Sequence, residues 1–333
     1  MHYRSLGSSG LQVSSICLGT MMFGDRTELP EAKNIIASAL DAGVNFIDTA
    51  DVYKTGASET MVGQTIRETR SRWILATKVS NAMSRAPNEE GYSRTWMMRA
   101  IEASLKRLQT DYVDIYYMHY DIPEFALEQT VETMGNLIAA GKIRHFGVSN
   151  FRGWRIAEIV RACESVGVEP PVVCQPYYNM MNRMPEVEIL PACDHYDIGV
   201  VPYSPIARGV LTGKYPPGQK PAPDTRAGHA DKRMMETEFR EESLVIAQKV
   251  KAHAESRGMT SAQFAYQWVL RNEIISSVIA GPRTLAQWQE YVDGVEKTLD
   301  DGDEAFVDAL VRPGHPSTPG YNDPRYPFHG RAV

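Results

Sequence analysis

The sequence predicts an α/β protein whose eight strands close into a (β/α)8 barrel. Short apolar runs alternate with longer amphipathic stretches eight times along the 333 residues. No shift in composition of the kind that marks a linker separates these repeats, so we expect a single domain over residues 1–333. The hydrophobic fraction of 43% is sufficient for one large core.

The strand candidates are near-continuous runs of Val, Ile, Phe and Tyr, a composition typical of parallel strands that are buried on both faces. Between them, apolar residues recur with the period of a helix. The predicted strands cover residues 16–18, 46–48, 74–77, 113–118, 145–148, 172–175, 200–202 and 277–280, and the predicted helices cover residues 31–42, 59–69, 94–108, 125–140, 153–167, 186–196, 241–257, 261–271 and 284–294.

Three segments fall outside this alternation. Residues 3–13 indicate a β-hairpin around a Gly/Ser turn. Residues 213–237, after the seventh strand, are polar and rich in proline, so we expect a lid or a disordered loop. The tail, residues 313–333, shows little helical pattern and is expected either to cover the barrel mouth or to be flexible.

A doubly wound sheet is the competing fold. Such a sheet normally binds a dinucleotide through a G-x-G-x-x-G turn after its first strand. The chain contains no G-x-G and no Walker A loop, which favours the barrel.

Charge and cysteine content argue against several classes of function. The formal net charge of −6 is spread along the chain, which speaks against a nucleic-acid or acidic-membrane surface. No apolar stretch approaches the ~20 residues of a membrane span, and residues 1–15 lack the pattern of a signal peptide. Four cysteines without a C-x-x-C pair indicate free thiols in a reducing cytoplasm.

Ionisable residues follow three consecutive strands at the end where a barrel carries its site. Asp48 ends strand two, Lys78 follows strand three, His119 follows strand four, and Tyr53 lies in the loop after Asp48. Taken singly, each has an ordinary structural interpretation, such as a turn cap, a solvated lysine, a core histidine or a surface aromatic. Their joint placement at one end of the barrel favours a catalytic role over these structural roles.

The four side chains form a coherent set for carbonyl reduction. A Tyr hydroxyl with a pKa near ~10 is a poor acid at neutral pH, but a neighbouring ammonium lowers that pKa. An Asp keeps the Lys charged and oriented, and a His donates a hydrogen bond to a carbonyl oxygen. Together they would polarise a carbonyl group and protonate the developing alkoxide, as a hydride acceptor requires.

Three motifs carry a resemblance to a known family. They are GVNFIDTADVY at residues 43–53, DIYYMH at residues 114–119 and GKIRHFGVSNF at residues 141–151. Over about residues 3–295 the chain resembles the aldo-keto reductases, in particular the branch of potassium-channel β subunits and bacterial reductases. The resemblance implies an NADP(H)-dependent reduction of aldehydes or ketones. It assigns the four catalytic residues of the family, called the tetrad below, to Asp48, Tyr53, Lys78 and His119, with Tyr53 as the general acid.

The resemblance also assigns cofactor contacts. Ser149, Asn150 and Gln175 match the residues that hold the nicotinamide carboxamide, and Tyr203 matches the aromatic residue that stacks on its ring. A plain helix N-cap is the alternative for the first two. Ser204 begins a segment that matches the region around the pyrophosphate. In full, the predicted cofactor contacts are Thr20, Asp48, Ser149, Asn150, Gln175, Tyr203, Ser204, Pro205, Leu211, Gly281, Arg283, Gln287 and Glu290.

The segment after the last strand resembles the family's adenosine-end motif. Arg283 and Gln287 fall one helical turn apart at a helix N-terminus, which suits a 2′-phosphate and favours NADP over NAD. Pro282 and Tyr291 depart from the residues common in the family.

Substrate contacts and two other functions stay open. Met22, Phe23 and Tyr120 follow strands at the barrel mouth and either line an apolar pocket for a small carbonyl compound or pack there as ordinary core. One alternative function is an NADPH-binding, redox-sensing subunit with slow turnover. The other is a metal-dependent hydrolase using His119, His145 and Asp121, although no ligand spacing such as H-x-H supports a metal site. The physiological substrate and the oligomeric state are not predicted.

Overall fold

The computed structural model describes residues 1–327, so residues 328–333 of the predicted tail lie outside the described residues. Most strands lie within two residues of the positions that the hydrophobic pattern predicts. The strands are β1 (Tyr3–Ser5), β2 (Gln12–Ser14), β3 (Ile16–Gly19), β4 (Phe46–Asp48), β5 (Ile74–Val79), β6 (Val113–Met118), β7 (Ile143–Ser149), β8 (Val173–Gln175), β9 (Gly199–Val200) and β10 (Val278–Ala280).

The helices follow the strands in the predicted alternation. Thr260 caps one of them, where its hydroxyl and the Gln263 side chain form a reciprocal capping box. The helices are α1 (Leu29–Asp41), α2 (Ala57–Ile66), α3 (Arg94–Leu108), α4 (Leu127–Ala139), α5 (Gly153–Val166), α6 (Ile189–His195), α7 (Lys232–Thr237), α8 (Glu241–Ser256), α9 (Ser261–Arg271), α10 (Leu285–Asp293) and α11 (Asp301–Leu310).

The strands β3 to β10 form one parallel sheet that closes on itself. Each strand from β3 to β8 pairs with the next along the chain, and β10 pairs with β3. Val200 of β9 forms a parallel bridge with Ile275, just before β10, and its carbonyl accepts a hydrogen bond from the N–H of Ser276 at 2.9 Å. The predicted (β/α)8 barrel is therefore confirmed.

The hairpin β1–β2 covers the end of the barrel at which the strands begin. Gly7, in the turn of this hairpin, has a φ of +49°. A Cβ atom at this position would lie 2.5 Å from the backbone nitrogen of Gly199 and 2.6 Å from the carbonyl oxygen of Asp197. Only glycine permits so close an approach in this conformation. Leu6 beside it is fully buried in the apolar core of the barrel.

Alternation along the strands decides which side chains face the barrel interior, because residues two apart in a strand point to the same face. The central apolar cluster includes Phe46 of β4, Ala76 of β5 and Tyr117 of β6. The inward row of each strand is therefore continued, at the end where the site is expected, by the residue two positions later. These residues are Asp48, Lys78 and His119.

The chain divides into two compact units. The first comprises Met1–Pro176, Glu188–Tyr203 and Glu273–Asp293 and holds all ten strands with α1–α6 and α10. The second holds α7, α8, α9 and α11. It comprises Tyr177–Val187, Ser204–Asn272 and the described residues from Gly294 onward. The single domain expected from the sequence stays a prediction.

The second unit contains two helices that the sequence pattern does not predict. α7 lies inside the proline-rich segment 213–237, where Tyr215 and Ala227 are buried. α11 begins with a capping box in which Asp300 and Asp303 each accept the backbone N–H of the other. The segment 213–237 is thus partly folded, and its role as a lid stays a prediction.

The described part of the tail, residues 313–327, is anchored within the second unit. The Arg233 guanidinium forms an ion pair with Asp323 at 2.7 Å. The Arg240 guanidinium lies 3.7 Å above the ring of Tyr321. These contacts hold the tail against the helices of its own unit.

Candidate active site

Asp48 and Lys78 form a buried ion pair inside the barrel. Nζ of Lys78 lies 2.5 Å from Oδ1 of Asp48 and also donates to the carbonyl oxygen of Thr49 at 2.7 Å. The Lys78 side chain is fully buried, and Asp48 is 2% exposed. Burial is the largest single influence and opposes the ammonium, but Asp48 and Tyr53 together outweigh it, so the pKa of Lys78 lies above its ordinary value.

The hydroxyl of Tyr53 lies 3.4 Å from Nζ of Lys78. The loop that carries Tyr53 continues the pairing of β4 with β5, since the N–H of Thr49 donates a hydrogen bond to the carbonyl oxygen of Ala76 at 2.9 Å. Lys54 and Thr55, directly after Tyr53, both adopt positive φ angles. The chain thus makes a tight turn immediately after placing the phenol beside the ammonium.

The ring of His119 lies beside that of Tyr53. The two rings meet edge to face with their centroids 6.0 Å apart. The backbone N–H of His119 donates a hydrogen bond to the carbonyl oxygen of Val79 at 3.0 Å. The carbonyl oxygen of His119 accepts one from Nδ2 of Asn150, also at 3.0 Å. Nδ1 of His119 lies 3.0 Å from Nδ2 of Asn81. The structure therefore brings all four tetrad candidates to one end of the barrel.

Four predicted nicotinamide contacts form a hydrogen-bond chain at the same end. The Tyr203 hydroxyl donates to Oδ1 of Asn150 at 2.8 Å, and Nδ2 of Asn150 donates to the Ser149 hydroxyl at 3.0 Å. Ser149 in turn donates to the carbonyl oxygen of Gln175 at 2.8 Å. Nε2 of Gln175 donates to Oδ2 of Asp48 at 2.9 Å. The predicted cofactor contacts and the acidic residue of the tetrad thus belong to one network.

Thr20 is buried behind Asp48. Its hydroxyl donates to the carbonyl oxygen of Asp48 at 2.9 Å and lies 2.9 Å from the Ser58 hydroxyl. Thr20 therefore supports the backbone at Asp48 rather than facing solvent.

The predicted adenosine-end residues surround the start of α10. The backbone N–H of Arg283 donates to Oε1 of Gln287 at 2.8 Å, and Arg283 is half-buried. Glu31 of α1 already accepts the N–H of Leu285 in the first turn, at 2.6 Å. The remaining candidates are exposed Gly281 and half-buried Glu290.

Three predicted pyrophosphate contacts, Ser204, Pro205 and Leu211, belong to the second unit. Ser204 has a φ of +60°, and its carbonyl accepts from Nδ2 of Asn179 at 2.9 Å. Pro205 and Leu211 are buried. Arg208 between them also has a positive φ, and its Nε atom is buried without a hydrogen-bond partner among the described residues.

The predicted substrate contacts differ in exposure. Met22 and Tyr120 are half-buried, and the backbone of Tyr120 is hydrogen-bonded to the Tyr92 hydroxyl. Phe23 is fully buried and therefore packs inside the first unit as core. Within residues 1–327, no three His, Cys, Asp or Glu side chains are grouped as metal ligands would be. No helix in the same range is both long and apolar enough to cross a membrane.

From the sequence, no role is predicted for two residues that lie beside the tetrad. Asn81 contacts His119, as described above. Asp51 is buried, and within the described residues neither of its carboxylate oxygens has a hydrogen-bond partner. Burial and the nearby Glu59 carboxylate raise the pKa of Asp51 to about 8. Its place within the DTADVY motif, three residues after Asp48, is the signal that could have identified it.

Comparisons with known proteins agree with this geometry. The family model described as "Aldo/keto reductase family" matches residues 15–312. A protein of Arabidopsis thaliana named "Probable voltage-gated potassium channel subunit beta" is 37% identical over 301 residues, which cover 89% of this chain and 92% of that protein.

Two further relatives show the same extent of similarity. A protein of Oryza sativa subsp. japonica, also named "Probable voltage-gated potassium channel subunit beta", is 36% identical, over 84% of this chain and 87% of its own length. "Uncharacterized oxidoreductase YrpG" of Bacillus subtilis is 34% identical, over 90% of this chain and 93% of its own length. The chain forms a closed barrel with a buried Lys–Asp pair beside a tyrosine, and the family model matches nearly its whole length. The chain therefore belongs to the aldo/keto reductase family of oxidoreductases.

Proposed function

We propose that this protein reduces an aldehyde or ketone to the corresponding alcohol, with NADPH as the reductant and Tyr53 as the proton donor. The observation that carries the proposal is the position of one buried ammonium, on Lys78, between the Asp48 carboxylate and the Tyr53 hydroxyl. Membership of the family supports it, because its members generally use a nicotinamide cofactor and act on small carbonyl compounds.

The residues of the chain divide the work between them. Tyr53 transfers its proton to the carbonyl oxygen, and the Lys78 ammonium stabilises the phenolate that remains. Asp48 keeps that ammonium charged in a site from which water is excluded. His119 donates a hydrogen bond to the same carbonyl oxygen. Such preorganised charges and donors act strongly where the local dielectric is low.

The residues at the barrel end fit a nicotinamide cofactor, which when bound supplies the hydride. The hydroxyl of Ser149 and the amides of Asn150 and Gln175 offer the hydrogen-bonding groups that a carboxamide needs, and they are already linked to Asp48. Arg208, with its buried unpaired Nε, offers a donor to a phosphate. We assign the remaining contacts to Tyr203, Ser204, Pro205, Leu211, Gly281, Arg283, Gln287 and Glu290, with Thr20 supporting the site through the Asp48 backbone.

A kinetic screen tests the proposal. Purified protein is assayed with NADPH and NADH side by side against 4-nitrobenzaldehyde, a simple ketone and an aldose sugar. We expect carbonyl-dependent oxidation of NADPH, with kcat/KM for NADPH exceeding that for NADH by about tenfold or more, which corresponds to about 1.4 kcal/mol. Absence of carbonyl-dependent oxidation with both nucleotides would refute the proposed activity.

The named relatives favour a second candidate function, that of a regulatory subunit. Two of them are named "Probable voltage-gated potassium channel subunit beta". In that case NADPH would exchange very slowly and the chain would form a stable complex with another protein. Rapid exchange of fluorescent NADPH from the purified chain would exclude this function.

We propose a cytoplasmic location and a reaction that needs no metal ion. All four cysteines are buried free thiols, as expected in a reducing compartment. Full activity after treatment with EDTA, with no stoichiometric metal in elemental analysis, is the expected result. A stoichiometric metal ion in that analysis would instead favour the metal-dependent hydrolase.

A further inference from the structure

Asn81 and His119 meet across two neighbouring strands. Asn81 is the second residue after β5, and His119 is the first residue after β6. Nδ2 of Asn81 lies 3.0 Å from Nδ1 of His119. An amide nitrogen donates hydrogen bonds and does not accept them, so Nδ1 is the acceptor in this pair. A neutral imidazole that accepts at Nδ1 carries its proton on Nε2.

The backbone before Asn81 is held in a rare conformation. Ser80 has a φ of +136° although it is not glycine, and its side chain is buried. Its carbonyl oxygen accepts a hydrogen bond from the N–H of Gly91 at 2.8 Å. Such backbone strain persists only where the surrounding structure imposes it. The position of Asn81 is therefore fixed by the fold of this loop.

The backbone of His119 is fixed independently of Asn81. Its N–H is bonded to Val79 and its carbonyl to Asn150, so both main-chain groups are engaged. These contacts hold the backbone but leave the protonation of the ring open. The contact with Asn81 engages the ring itself, at Nδ1.

We propose that Asn81 is a positioning residue that holds neutral His119 in the form with its proton on Nε2. This inference rests on the proposed carbonyl reduction, in which His119 donates a hydrogen bond to the carbonyl oxygen. With the proton on Nε2, the ring offers a donor on the side away from Asn81. With the proton on Nδ1, the ring would turn a lone pair toward that oxygen and would repel it.

The protonation state of the ring can be observed without any substrate. Protein with ¹⁵N-labelled histidine is studied by long-range ¹H–¹⁵N correlation at a pH where the imidazoles are neutral, and the His119 signals are assigned with a His119→Gln variant. We expect the pattern of an Nε2–H imidazole in the unaltered protein. An Nδ1–H pattern would overturn the proposal, since it would mean that Asn81 accepts through Oδ1.

Two variants and one matched control complete the experiment. Asn81→Ala removes the donor, and we expect a mixture of the two neutral forms. Asn81→Asp replaces the donor by a carboxylate that accepts from Nδ1–H, so we expect the opposite form and a rise in the pKa of His119 of about one unit or more. Asn88→Asp makes the same chemical change at an exposed position of the same loop, and we expect it to leave both readouts unchanged. An unaltered Nε2–H pattern in Asn81→Ala would also overturn the proposal.

Kinetics separate this inference from the proposed function. With NADPH and 4-nitrobenzaldehyde, we expect Asn81→Asp to lower kcat by up to about 100-fold, with KM for NADPH unchanged. The pH profile of kcat should shift toward higher pH together with the pKa of His119. If the unaltered protein reduces no carbonyl compound, the proposed function fails, while the NMR result still decides what Asn81 does.

Discussion

Nε2 of Gln175 donates a hydrogen bond to Oδ2 of Asp48 at 2.9 Å, while the other oxygen of that carboxylate holds Lys78. One carboxylate thus joins the residues predicted to hold the nicotinamide to the ammonium beside Tyr53. A substitution at any residue of this network is therefore expected to affect both cofactor binding and proton transfer.

The buried Asp48–Lys78 pair should show strong coupling in a double-mutant cycle. Asp48→Asn and Lys78→Met each leave one buried charge without its partner, so we expect each to lower the free energy of unfolding by about 3–5 kcal/mol. The double variant leaves no buried charge without a partner. Its free energy of unfolding should therefore fall by clearly less than the sum of the two single losses. Unfolding in urea measures all four proteins.

A surface pair provides the control for this cycle. Lys54 and Asp25 form an ion pair of similar length, 2.8 Å, but Lys54 is half exposed. We expect Lys54→Met to change the free energy of unfolding by less than about 1 kcal/mol. Additive effects within the Asp48–Lys78 cycle would show that the two charges are not coupled in solution.

Asp51 should make the stability of the protein depend on pH. Its pKa is raised from 3.8 to about 8 in the folded chain. Between these values the unfolded chain releases the proton and the folded chain keeps it, so stability falls as the pH rises through this window. The loss amounts to at most about 1.4 kcal/mol per pH unit and ends above the folded pKa.

The variant Asp51→Asn removes this titration while keeping the shape of the side chain. We expect the free energy of unfolding of the variant, relative to the unaltered protein, to increase from pH 4 to pH 8 and then stay level. Urea unfolding at one-unit pH intervals measures it. Two curves that stay parallel over the whole range would mean that Asp51 is not held protonated by the fold.

Arg283 should decide the preference for NADPH. A hydrogen bond to a charged group contributes about 1.5–3 kcal/mol, so we expect Arg283→Ala to weaken NADPH binding by about 10- to 100-fold and to leave NADH binding unchanged. Binding is measured by fluorescence titration with both nucleotides. Arg26→Ala, an exposed arginine in a neighbouring loop, controls for general electrostatics. Equal weakening of both nucleotides would place the 2′-phosphate elsewhere.

The periodicity of the strands explains why the tetrad could be predicted. Lys78 follows Ala76 on the inward row of β5, and His119 follows Tyr117 on that of β6, so the sequence alone places both at one end of the barrel. Asn81 could not be found this way. It lies in a polar loop without periodicity, and its contact with His119 depends on the unusual backbone of Ser80.

The second unit was harder to predict for two physical reasons. α11 starts among three acidic residues and Gly302, a composition that is typical of turns, although Asp300 is a good N-cap. The packing of the tail rests on pairs far apart in sequence, such as Arg233 with Asp323. Spacing along the chain carries no information about such pairs.

The turnover of Tyr53→Phe tests the central claim most directly. The change removes one hydroxyl, the one that lies 3.4 Å from the Lys78 ammonium, and leaves the ring. With NADPH and 4-nitrobenzaldehyde, we expect kcat to fall by about 100- to 10,000-fold while NADPH binding is kept. Tyr112→Phe, at the opposite end of the barrel, should retain full activity. A Tyr53→Phe enzyme that turns over within about tenfold of the unaltered protein would contradict the account.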